Sequence, residues 1–215
     1  MKNIRGGSII FFISALISCT TITSPMIQSS MNGDTQNIRK LIREGADVNE
    51  KAKYGTAPLM FAAKYSNTDT LKVLLDNGAK INYLDDVRST ALMWAIVGDK
   101  YDNVAYLISG GADVKIKDER GGTALFFAAM KGSYQIAKLL IDKGADVNAV
   151  TTYGVSILMA GVVSQNLPTI NLLLNNNANV NFINAQGKSA LSTAREKTKN
   201  QLVIEMLIKA GARDF

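Results

Sequence analysis

Near copies of one short phrase stand on a fixed grid along the chain, and this constrains the fold more than any other feature. Gly45-Ala46-Asp47-Val48-Asn49 is followed by Gly78-Ala79-Lys80-Ile81-Asn82, Gly111-Ala112-Asp113-Val114-Lys115, Gly144-Ala145-Asp146-Val147-Asn148, Asn177-Ala178-Asn179-Val180-Asn181 and Gly211-Ala212-Arg213-Asp214. The first five begin 33 residues apart, and the sixth begins 34 residues later. A second phrase keeps the same beat, because Leu59, Leu92, Leu125, Leu158 and Leu191 are also 33 apart. Each leucine opens an apolar stretch such as Leu125-Phe126-Phe127-Ala128-Ala129. Two phrases in one register predict identical supersecondary units, each burying its apolar face against its neighbours.

The period and both phrases resemble the ankyrin repeat. Gly55-Thr56-Ala57-Pro58-Leu59-Met60-Phe61-Ala62-Ala63 is similar to that family's opening turn and first helix, and the Gly-Ala-Asp-Val-Asn phrase to its closing turn. The resemblance implies an all-α solenoid of stacked helix-turn-helix units joined by β-turn hairpin loops. It covers 24–215, divided into a first unit at 24–50, full units at 51–83, 84–116, 117–149 and 150–182, and a closing unit at 183–215. One departure is consistent. The family's histidine after the helix-opening leucine is replaced by Met60, Met93, Phe126, Met159 and Ser192, and the chain contains no histidine. Apolar packing is expected to stand in for the hydrogen-bond network that histidine supplies.

Local chemistry agrees with this division. Thr90, Thr123, Ser156 and Ser189 stand where a hydroxyl would cap each first helix, and Ser24-Pro25 offers the same start to the first unit. Leu74/Leu75, Leu107/Ile108, Leu140/Ile141 and Leu173/Leu174 read as the buried pairs of the second helices. Gly78, Gly111, Gly144 and Gly211 are placed to end those helices in a left-handed conformation, with Asn177 the next best residue at its position. In the first unit Ile38, Leu41 and Ile42 share one face of the second helix, with Asn37, Arg39, Lys40 and Arg43 elsewhere, as a terminal cap requires. In the last unit Leu202, Met206, Leu207 and Ile208 are expected to point inward. Its extra residue falls between Ala194 and Leu202.

The N-terminus departs from this pattern. Lys2 and Arg5 precede an apolar run from Ile9 to Ile17, which is too short for the roughly 20 residues of a membrane span and reads as an export signal over 1–18. Leu16-Ile17-Ser18-Cys19 resembles a bacterial lipobox, which implies cleavage before Cys19 and acylation of that residue, the only cysteine in the chain. Cys19 could alternatively be a small buried hydrophobe. Two or more acyl chains anchor stably, at about 0.8 kcal/mol per buried methylene. Residues 19–23 would form a tether of roughly 17 Å at full extension. Thr20 is not the aspartate associated with inner-membrane retention, which favours the outer membrane of the cell envelope. A monomer is expected, and a secreted or soluble ankyrin effector acting on proteins of another cell is the alternative.

Composition narrows the function. Without histidine, and with the single cysteine given to lipid, the chain offers no Ser/His or Cys/His pair and no zinc-type cluster, so neither catalysis nor a metal or other cofactor is expected. Asp85-Asp86 and Asp118-Glu119 are expected to be solvated turn residues. Phe61, Trp94 and Phe127 share one phase and are expected to stack on each other in the core. The formal charge of +6 falls to +4 once Lys2 and Arg5 leave with the signal. The remaining basic residues are interleaved with acids rather than arranged in the stripe that nucleic acid requires. Arg39, Lys40 and Arg43 are either a solvated cap face or a surface resting on anionic headgroups.

A protein-binding surface is what remains, so the expected function is a membrane-tethered protein–protein interaction module. In proteins that this chain resembles, partners dock on the hairpin tips and on the exposed, concave side of the first helices. At matching positions these are Lys53, Tyr54 and Tyr65, then Asp86 and Val87, then Glu119, Arg120 and Met130, then Thr152, Tyr153 and Val155.

Overall fold

Each unit folds as a pair of short helices because its apolar positions recur at helical spacing between a hydroxyl start and a glycine stop. The computed structural model describes residues 24–213. The predicted signal at 1–18, the tether at 19–23 and Cys19 lie outside the described residues. The first helices of successive units are α1 (Pro25–Asn32), α3 (Pro58–Tyr65), α5 (Ala91–Val97), α7 (Ala124–Lys131), α9 (Ile157–Ser164) and α11 (Ala190–Thr193). The second helices are α2 (Thr35–Arg43), α4 (Thr68–Asp76), α6 (Tyr101–Ser109), α8 (Tyr134–Asp142), α10 (Leu167–Asn175) and α12 (Gln201–Lys209). The described residues contain no named strand, only the isolated antiparallel bridges Lys117–Thr123 and Val150–Ser156 at two hairpins.

The predicted caps are present. Thr90, Thr123, Ser156 and Ser189 accept from the amides of Met93, Phe126, Met159 and Ser192 at 3.3, 3.3, 3.2 and 3.1 Å. These bonds satisfy amides that the first helical turn leaves unpaired. Ser24 caps α1 through the Ile27 amide in the same way. At the far ends Gly78, Gly111, Gly144 and Gly211 adopt φ of 90, 93, 82 and 92°, and Asn177 adopts 62°.

The five grid leucines are buried, as are Leu74, Leu107, Leu140 and Leu173 of the second helices. Of their expected partners Ile108 is buried, while Leu75, Ile141 and Leu174 are half-buried against the core. The first helices pack closely on one another through small residues such as Ala62, Ala95 and Ala128, and the second helices pack more loosely. The stack therefore closes toward its first-helix side.

The last unit differs from expectation. In its second helix Val203 and Leu207 are the fully buried residues, while Leu202 and Ile208 are 60% and 50% exposed. The extra residue is absorbed ahead of this helix, in a π-turn over Ala194–Thr198 with Lys199 at φ 51°. The helix therefore keeps the phase of the other second helices, and Leu202 falls at the place of the exposed Gln135 and Pro168. Ile208 matches Leu174, Ile141 and Ile108, which pack in the core, but no unit follows it among the described residues.

Asparagines that end the repeated phrase form a ladder along the stack. Asn49, Asn82, Asn148 and Asn181 each donate from Nδ2 to a carbonyl of the next unit, those of Gly78, Gly111, Asn177 and Gly211. Their Oδ1 atoms accept from the amides of Lys80, Asp113, Asn179 and Arg213 at 2.8–2.9 Å. Lys115 occupies the remaining place, between the third and fourth units, and its side chain cannot supply both halves of a rung. Each bond is exposed and contributes about 0.5 kcal/mol. Lys115→Asn is therefore expected to raise stability by about 1 kcal/mol in urea denaturation.

Candidate functional site

The connections between units project as tight turns that are bonded to each other. Within each turn an amide closes on a carbonyl four residues on: Asp85 to Ser89 at 3.2 Å, Asp118 to Gly122 at 3.0 Å and Thr151 to Val155 at 3.1 Å. Between turns Asp86 donates to Tyr54 at 3.0 Å, Glu119 to Val87 at 3.0 Å and Thr152 to Arg120 at 2.8 Å. The tips of the second to fifth units thus form one continuous edge. It sets Tyr54, Val87, Arg120 and Tyr153 in a row, with Tyr54, Val87 and Tyr153 exposed by 51, 42 and 65%. Gly55, Gly121, Gly154 and Gly187 supply the left-handed residue of each turn, and Arg88 holds that conformation at φ 61° in the third.

The acidic residues of the turns divide in a way not expected from sequence. Asp86 and Glu119 are exposed, but Asp85 is 6% exposed and Asp118 is half-buried. Each buried carboxylate holds its own turn together. Asp85 Oδ1 accepts from the amides of Val87 and Ser89 at 3.1 and 2.7 Å, and Asp118 Oδ1 from those of Arg120 and Gly122 at 2.9 and 2.7 Å. Asp85 Oδ2 accepts in addition from Trp94 Nε1 at 3.2 Å. Burial pushes both carboxyls above their ordinary value of 3.8, and the amide bonds only partly offset it.

A raised carboxyl pKa means that the folded state binds more protons than the unfolded chain, so its contribution falls as pH rises through the window starting near 3.8. Asn184 shows that an amide suffices for the turn, accepting from Gln186 and Lys188 at 3.0 and 2.9 Å. Asp118→Asn should therefore keep the turn and remove the charge. Its stability advantage over wild type is expected to grow as pH rises from about 4 to about 7, which paired urea titrations would check.

The aromatic stripe is also partly different. Phe61 and Trp94 pack with ring centroids 5.7 Å apart, but Phe127 pairs edge-on with Phe126 at 5.8 Å and does not extend the stack. Trp94 is held toward its own turn by Asp85, while Phe127 has no polar group to orient it. Phe61 is half-buried, and Lys64 Nζ lies 5.4 Å from the Trp94 ring and 4.8 Å from that of Tyr65. On the same edge Lys53 Nζ lies 4.9 Å from the Tyr54 ring.

Five of the predicted contact residues, Val87, Glu119, Arg120, Tyr153 and Val155, surround one cleft of about 220 Å³ between the third, fourth and fifth tips. Thr152 is exposed beside it, and Lys53, Tyr54 and Asp86 continue the edge toward the second unit. Tyr65 and Met130 lie on α3 and α7, half-buried against the core and away from the tips. Sequence reasoning missed the floor of the cleft, where Ser89, Asp118, Gly122, Phe126 and Phe127 contribute. The signal available was the change from Ser89 and Trp94 to Gly122 and Phe127 one period later. Two other depressions, beside Phe182 and beside Tyr106, are lined by no charged side chain.

Among the described residues no group of three or more His, Cys, Asp or Glu side chains could hold a metal ion, and no helix is long and apolar enough to cross a membrane. No curated protein matches the sequence. A family model described as ankyrin repeats (3 copies) matches residues 26–118, 101–184 and 125–214. The chain is similar to an ankyrin repeat domain from Acinetobacter baumannii AYE, known from a crystal structure at 1.00 Å resolution. The two share 26% identity with a TM-score of 0.76, over 88% of this chain and 98% of that one. With the 33-residue grid, the stacked helix pairs and the bonded hairpin tips, these matches establish that the chain belongs to the ankyrin-repeat family.

Proposed function

We propose that the chain is a monomeric protein-binding module, exported and tethered to the cell envelope through acylated Cys19, that engages a protein partner along its hairpin-tip edge. Ankyrin repeats mark a protein–protein interaction module. The observation that carries the assignment to this edge is the row of exposed Tyr54, Val87 and Tyr153, held in register by backbone bonds between turns. Tyrosine is enriched at interface hot spots because it covers a large area with few rotatable bonds and keeps a polar tip. The edge contributes little to the core, so its side chains are free to serve recognition.

Support for the tether comes from the sequence alone: an apolar run ending in Leu16-Ile17-Ser18-Cys19 after Lys2 and Arg5. Thr20 favours the outer membrane. Labelled palmitate on the wild-type chain, absent from Cys19→Ser, tests the anchor. Processed but unlabelled protein in the medium would contradict it and favour a secreted effector. The binding surface is tested by a crosslinked pull-down from envelope extract with wild type and with Tyr54→Ala, Arg120→Ala, Tyr153→Ala combined, at unchanged helicity. A band lost only in the triple variant is expected, and the same band in both would place the site elsewhere.

A further inference from the structure

The third and fourth units carry the same turn acid, yet only one of the two has its second oxygen satisfied by a side chain. In the third unit Asp85 Oδ2 accepts from Trp94 Nε1, and Ser89 beside it is 5% exposed. One period later Phe127 replaces the tryptophan and offers no donor, and Gly122 replaces the serine. Gly122 is not required there by backbone conformation, since Thr56, Ser89, Val155 and Lys188 fill the matching places and its φ is not positive. A Cβ at Gly122 would lie 3.1 Å from Asp118 Oδ2 and 3.2 Å from Oδ1, so a side chain would sit directly against the carboxylate. The change at Phe127 takes away the side-chain donor that engages Asp85, while Gly122 keeps the amide bond that Ser89 makes and leaves open the space beside the carboxylate.

The hydrogen bonds of Asp118 use Oδ1 alone. The carboxylate borders the cleft of about 220 Å³ whose other walls include Val87, Phe126, Phe127, Tyr153 and Val155. This is room for one large side chain, apolar along its length. The charged side chains that line the cleft are Asp118, Glu119 and Arg120. Arg120 Nε lies 3.8 Å from Glu119 Oε1 and its charge also acts on Asp118, so the lining carries one net negative charge.

Resting on the protein-binding assignment above, we infer that this cleft receives one basic side chain, lysine or arginine, from an extended segment of the partner. Its cationic head donates to Asp118 Oδ2, and its stem lies against Phe127, Tyr153 and Val155. A cation restores what burial has cost the carboxylate, and the aromatic faces add a favourable interaction with the positive charge. The occupant repeats between two chains the donor–acceptor contact that Trp94 and Asp85 make within one.

The test is selection of a random twelve-residue peptide library on the immobilised full-length protein, followed by fluorescence polarisation with individual peptides. Lysine or arginine is expected at one fixed position of the selected peptides. Replacing that residue with norleucine should weaken binding to wild type by about tenfold, the usual scale of a charge-assisted hydrogen bond. Asp118→Asn should weaken the parent peptide by a similar factor, and its turn is secured by the precedent of Asn184. Phe127→Trp, which rebuilds the internal donor that the third unit already accommodates, should also reduce binding. Selected peptides with no fixed basic residue, or with tryptophan in its place, would overturn the inference. If such peptides still lost affinity for Tyr153→Ala, the protein-binding edge would stand without the basic anchor. Absence of any bound peptide would count against both.

Discussion

Leu125→Ala is expected to lower the unfolding free energy by about 3 kcal/mol, the largest effect of any single truncation considered for this chain. Leu125 is 0% exposed in α7, which packs on both α5 and α9, so the lost methyl groups leave a cavity with close-packed neighbours on two sides. For a chain of this length the loss corresponds to a fall of about 9 °C in Tm. Because each unit touches only adjacent units, hydrogen exchange should accelerate most in the third to fifth units and least in the first. Leu202→Ala is the control. That leucine is 60% exposed, and its truncation should change stability by less than about 0.5 kcal/mol. A cost comparable to that of Leu125 would contradict the phase assigned to the last helix.

Gly98→Ala carries the second large effect, with a sign opposite to the usual one. Gly98 has φ −74° and ψ −5°, a helical conformation in which alanine ordinarily stabilises by reducing the freedom of the unfolded chain. Here a Cβ would lie 2.5 Å from the Lys64 carbonyl oxygen and 3.0 Å from the Lys64 Cα, at the end of α3. Both are backbone atoms of the preceding unit, so relief requires the first helices to separate. A loss of about 2 kcal/mol is expected. Gly161→Ala makes a useful contrast, since the nearest atom there is Leu173 Cδ1 at 2.9 Å, the end of a flexible side chain. The cost at Gly161 should be the smaller of the two.

These residues mark where the sequence was legible and where it was not. Helix starts and stops could be placed because a hydroxyl cap and a left-handed glycine each have one local job, repeated on the grid. The buried leucines followed for the same reason. In the last unit the additional residue entered as a π-turn ahead of α12, which keeps the face of the other second helices, so Leu202 takes an outward place although it is apolar.

The turn acids were harder to place. Asp85 and Asp86 are adjacent and chemically alike, but only the first points back to bind its own turn's amides, and nothing in the pair itself distinguishes them. Most of the proposed contact residues were legible because the grid assigns them to the tips. The floor of the cleft was not, since it depends on what Gly122 and Phe127 lack relative to Ser89 and Trp94. The asparagine ladder was visible as a recurring residue, but its bonds join units about 30 residues apart and become apparent only when those units are stacked.

The hairpin-tip edge is the surface proposed to meet a protein partner. The most direct measurement places the photo-crosslinking amino acid p-benzoylphenylalanine at Tyr153 on that edge, or at Tyr134 on α8, in cells of the native host. Both side chains are exposed, by 65% and 41%, so accessibility alone does not favour either result. A discrete crosslinked species formed from position 153 and absent from position 134 is predicted. A species formed from position 134 alone, or equally from both, would contradict the claim.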